Sequence, residues 1–81
     1  ASPSESPAGA AERRAAEKEL SAIDRRLTKL AALIHTAHER LAAHDQHDVA
    51  GLGGLTAALE EHEAEVARLE DRWLQLGELL A

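Results

Sequence analysis

The chain has 81 residues, a formal net charge of −6 and no cysteine, so at most one small domain can form, and disulfides and thiolate metal sites are excluded. Apolar residues make up 44%, nearly all Leu and Ala; Trp73 is the single aromatic, and Phe, Tyr and Met are absent. Strong helix formers with few β-branched residues point to an all-α fold, and so short a chain reaches stability through regular helix packing. No stretch approaches the roughly 18 apolar residues of a membrane span, and no signal-peptide pattern opens the chain. The expected compartment is the cytoplasm. The missing Met, including a starting one, points to a segment of a longer protein.

Residues 1–9, ASPSESPAG, are rich in Ser, Pro, Gly and Ala without apolar periodicity, and read as a flexible linker. From about residue 10 to 45 the pattern is helical. Ala16, Leu20, Ile23, Leu27, Leu30, Ile34, Ala37 and Leu41 follow one another in steps that alternate four and three. That is a heptad seam. With Leu20, Leu27, Ile34 and Leu41 at position a, Ile23, Leu30, Ala37 and His44 occupy d. Residues 46–51, QHDVAG, interrupt the pattern and read as a tip, with Asp48 a candidate N-cap. A second seam runs Leu52, Leu55, Leu59, His62, Val66, Leu69, Trp73, Leu76 and Leu80, in a helix over about 52–80. Gly51, Gly53 and Gly54 predict that its first turn frays, since each costs about 1 kcal/mol relative to Ala.

Two helices joined by a short loop pack antiparallel, giving a two-helix coiled-coil hairpin, monomeric, with arms of about 45–50 Å. Placing each a residue opposite a d residue pairs Leu20 with Leu76, Ile23 with Trp73, Leu27 with Leu69, Leu30 with Val66, Ile34 with His62 and Ala37 with Leu59. The numbers of each pair add to 96, as a hairpin centred on residue 48 requires.

Catalytic chemistry finds no support. The run GLGG at 51–54 lacks the GK[ST] ending of a phosphate loop, and a two-helix hairpin encloses no pocket for a nucleophilic triad. His44, Asp45, His47 and Asp48 gather at the tip, but their spacing matches no zinc signature, so the cluster reads as a polar turn. His62 stands at a d position where an apolar residue belongs; its ring is expected to tilt to water at the seam edge.

The charges are unevenly placed. The first helix holds seven of the nine Lys/Arg. Arg14, Lys18, Arg25 and Lys29 share its outward face, and Arg26 extends the patch along one flank, where Arg26 and Arg72 come level and are bracketed by Glu19 and Glu65. On the other flank Glu17, Asp24, Glu63 and Glu70 align without Lys or Arg. The basic stripe is the candidate nucleic-acid-binding site; its rival reading is a solvated face neutralised by Glu12, Glu17 and Glu19. Leu74 and Leu79, off the main seam near Trp73, would suit docking on a protein.

The blocks RRAAEKEL, IDRRLTKL and LEDRWLQL, set in a hairpin over residues 11–81, resemble the C-terminal coiled-coil extension of ABC-F (Uup-type) ATPases. The sequence departs from that pattern at the tip, where Gly51, Gly53 and Gly54 replace polar helix formers and Val49 a common aromatic. The resemblance implies a non-catalytic arm attached to ATPase domains, with ATP and magnesium bound by the parent protein and no cofactor in the arm. It also implies contact with nucleic acid, ribosomal RNA or DNA; from the lack of a long apolar stretch, no membrane partner is expected. The alternative is a spacer or protein-interaction hairpin docking on its parent or on a partner.

Overall fold

The computed structural model describes residues 9–81. It consists of two long helices, α1 (Ala10–Ala43) and α2 (Val49–Leu80), packed along each other as a hairpin, with no strand among the described residues. Of the expected linker, residues 1–8 lie outside the described residues, and Gly9 is the N-cap of α1. Glycine has no side chain to cap with, so Glu12 reaches back and accepts from the Gly9 N–H at 3.4 Å, while Arg13 N donates to Gly9 O at 2.9 Å. Among the described residues no helix is long and apolar enough to cross a membrane.

The buried row of α1 is Ala16, Ile23, Leu30 and Ala37, one residue per heptad; α2 contributes Leu59 and Leu76. Ala16, Ile23 and Leu76 form one cluster, against which Leu20, Leu27, Leu69, Leu79 and Leu80 pack. That cluster gathers residues that the heptad register sets level, Leu20 with Leu76 and Leu27 with Leu69. The d row of α1 is buried deeper than its a row, because Leu20, Leu27, Ile34 and Leu41 remain half-buried. A seam one side chain wide cannot cover both rows from both sides. Trp73 departs furthest from the expected picture. Ile23 is buried, but Trp73, its expected partner, is 45% exposed, since an indole is wider than the seam between two helices.

Both helix boundaries at the tip differ from the expected ones. α1 ends at Ala43, where His44 turns to extended backbone, and α2 starts at Val49 with Gly51, Gly53 and Gly54 inside it. The expected tip over 46–51 is therefore a shorter turn over 44–48, and the glycine-rich first turn is helical. Asp48 supplies the reason: its Oδ1 accepts from Gly51 N at 3.0 Å, and its carbonyl accepts from Leu52 N at 2.9 Å. On the other side of the turn, Gln46 Nε2 donates to the Leu41 and His44 carbonyls at 3.2 and 2.8 Å, satisfying the end of α1. His44 Nε2 and Asp48 Oδ2 then meet at 2.8 Å, joining the C-cap of α1 to the N-cap of α2. Gly51 makes this contact possible. A Cβ there would lie 2.2 Å from Asp48 Oδ2 and 2.5 Å from His44 Nε2. At the open end Arg13 crosses to α2 and donates to the Leu80 carbonyl at 3.3 Å, placing a cation at the negative end of that helix.

Candidate nucleic-acid interface

The geometry of α1 places Arg14, Lys18, Arg25 and Lys29 on its outer face, because b, c and f positions of a heptad turn away from the seam. All four are exposed, and none forms an ion pair among the described residues. From Arg14 to Lys29 the stripe runs about 22 Å at 1.5 Å per residue. Thr28, within the stripe, turns its hydroxyl back to donate to Asp24 O at 3.0 Å.

Arg26 is placed differently from these four. It is half-buried, and its guanidinium binds the Glu65 carboxylate through both oxygens, at 2.6 and 2.7 Å. Arg72 does the same with Glu19, at 2.7 and 3.0 Å, and also donates to Gln75. The two carboxylates that bracket these arginines are thus their partners, and both bridges tie α1 to α2 along one flank. The arginine hydrogen bonds hold the Glu65 and Glu19 carboxyls below their ordinary range, against a smaller opposing effect of desolvation. Arg26 and Arg72 are correspondingly raised, chiefly by the same hydrogen bonds. The structure therefore brings four of the five stripe residues together as free cations and sets Arg26 to closing the hairpin.

The tip is acidic. No Lys or Arg occurs from Leu41 to Val66, while Asp45 and Asp48 face the turn. Asp45 Oδ1 accepts from His47 N at 2.9 Å and lies 3.3 Å from the His47 ring. The His44 ring, followed by the Gly51 N–H, holds the Asp48 carboxyl below its ordinary value. No group of three or more His, Asp or Glu is placed to hold a metal among the described residues.

His62 is half-buried and reaches a groove of about 300 Å³ shared with Arg26, Glu61, Glu65 and Arg68. Two contributions went unrecognised in the heptads. Arg13 closes the open end, for which a cation one turn into a helix is only a weak signal. Leu33, outside the main seam, is half-buried beside Ala37, Leu55 and Ala58.

Such a face can hold phosphates as point charges. It has no aromatic platform for stacked bases, since the one aromatic side chain stands on α2. Residues 12–78, from the first turn of α1 to the last turn of α2, match the family model described as ABC transporter C-terminal domain. No curated protein and no solved structure matches the chain.

Proposed function

The chain belongs to the ABC transporter C-terminal domain family, and from that premise we propose that it is the non-catalytic C-terminal arm of an ABC-F-type ATP-binding protein that contacts nucleic acid through α1. The parent protein binds ATP and magnesium in its own domains and works in the cytoplasm; the arm contributes reach and charge. The observation that carries this reading is the row of four exposed cations, Arg14, Lys18, Arg25 and Lys29, with no ion-pair partner among the described residues. The ligand is ribosomal RNA or DNA, held by its phosphates without base readout.

Counterion release gives the test. Each neutralised phosphate steepens the dependence of log affinity on log salt by about 0.9 on duplex DNA. Replacing Arg14, Lys18, Arg25 and Lys29 together by Gln weakens binding across sequences alike and flattens the salt slope, with helicity unchanged because the seam is untouched. The control variant Arg40→Gln with Arg68→Gln loses less. Equal losses from the two sets, or no binding by the intact chain at low salt, would overturn the reading.

A further inference from the structure

The flank opposite the two Arg–Glu bridges carries a surface of different chemistry. Glu19, Arg26, Glu65 and Arg72 all occupy g, the position before a, so the other flank is built from the e positions. These hold Glu17 and Asp24 on α1 and Glu63 and Glu70 on α2, and no Lys or Arg stands at e in either helix. None of the four carboxylates is ion-paired among the described residues.

Near the open end the same flank exposes two of the three large apolar side chains left uncovered among the described residues, Trp73 at 45% and Leu74 at 56%; the third, Val49, stands alone at the tip. Each residue of an α-helix advances about 100° around the axis. Leu74 therefore continues from Trp73 away from the seam, on the e side, among Glu70, Asp71 and Glu78, all exposed. Gly77 lies on this face too, and a Cβ there would meet open space, so bare backbone leaves a step beside the two side chains. Arg72, the nearest cation in sequence, is held on the far flank by Glu19 and Gln75.

We propose that this face docks a basic amphipathic segment of a partner protein, with apolar side chains covering Trp73 and Leu74 and Lys/Arg set among Glu63, Glu70, Asp71 and Glu78. Charge complementarity selects the occupant. Phosphates would meet carboxylates that form no ion pair among the described residues, and a second copy related by a two-fold axis would set this acidic face against itself. A basic segment turns both costs into attraction, and a half-covered indole is the kind of anchor around which such contacts centre. The surface is separate from the stripe on α1, so one arm holds phosphates with one helix and a basic protein with the other.

Trp73 is its own reporter, being the only tryptophan. The probe is a synthetic helical peptide of leucine and lysine with leucines on one face. Its companions keep the leucines with Glu in place of Lys, or keep the lysines with no leucine. The leucine–lysine peptide should shift Trp73 emission to the blue and saturate. Leu74→Ser, and separately Glu70→Gln with Asp71→Asn and Glu78→Gln, should each weaken it by about tenfold or more, the scale of one anchoring contact. Glu61→Gln, at c on the opposite side of α2, and Arg40→Gln, near the tip, should each leave it unchanged. All these positions are exposed, and circular dichroism confirms that each variant folds. An equal response to either companion peptide, or undiminished binding by Leu74→Ser, would overturn the proposal. So would a blue shift that follows protein concentration alone with a doubled sedimenting mass, or one produced by duplex nucleic acid.

Discussion

Replacing Gly51 by alanine tests the tip directly, because Gly53 and Gly54 in the same helix provide matched controls. Gly→Ala within a helix stabilises by about 0.5–1 kcal/mol through backbone entropy alone. At Gly53 and Gly54 a new Cβ meets nothing within 4 Å, so each substitution should show that full gain. For a domain of this size the gain corresponds to a rise in Tm of about 2–8 °C. At Gly51 the new Cβ would sit 2.2 Å from Asp48 Oδ2, 2.8 Å from Asp48 Cγ and 2.5 Å from His44 Nε2. Asp48 must rotate, which breaks its contact with His44 and displaces the oxygen that caps Gly51 N. Losing an N-cap is comparable in size to the propensity gain and opposite in sign. Gly51→Ala should therefore leave Tm unchanged or lower, with Gly53→Ala and Gly54→Ala both higher. Thermal unfolding followed at 222 nm reads all three, and amide exchange at Leu52 localises the effect. If Gly51→Ala stabilises as much as Gly53→Ala, the His44–Asp48 contact contributes nothing and the helical first turn has another cause.

His62→Leu restores an apolar d layer and should raise stability by about 0.5–2 kcal/mol, read from the urea midpoint; a lower midpoint would show that His62 has a specific partner. Glu19, Glu65 and Asp48 all have lowered carboxyl values in the fold. A lowered folded value means the stabilisation is complete above the unfolded value and is lost as pH falls through the folded one. The hairpin should thus weaken below about pH 4, the ordinary carboxylate range, and Glu19→Gln with Glu65→Gln should flatten that acid limb; parallel curves for variant and parent would refute the assignment. Arg13→Gln removes a cation from the end of α2 and should cost about 0.3–1 kcal/mol, with faster amide exchange confined to the last turn.

The architecture is legible in one dimension because heptad periodicity is a relation between residues three and four apart on the same helix. Leu20 through Leu41 and Leu52 through Leu80 state two apolar stripes, and a gap of a few polar residues between them leaves only an antiparallel return. The outward placement of Arg14, Lys18, Arg25 and Lys29 follows from the same period. The cap role of Asp48 was visible as well, since a short acidic side chain ahead of an apolar-periodic run has few other uses.

What required the second helix in place was the choice among partners. The register sets Arg26 on a flank between Glu19 and Glu65, still readable as one more cation of the stripe; that its guanidinium closes on Glu65 at 2.6 Å is decided only once the helices are packed. The glycines read as a frayed turn until the His44 ring closes over Asp48 in the space that a Cβ at Gly51 would fill. Trp73 reads as a seam residue by its number, yet its exposure is set by how much width the opposing helix leaves for an indole. Periodicity assigns a side chain to a face; whether that face is covered, bridged or left open depends on distances between atoms far apart along the chain, which only the packed helices determine.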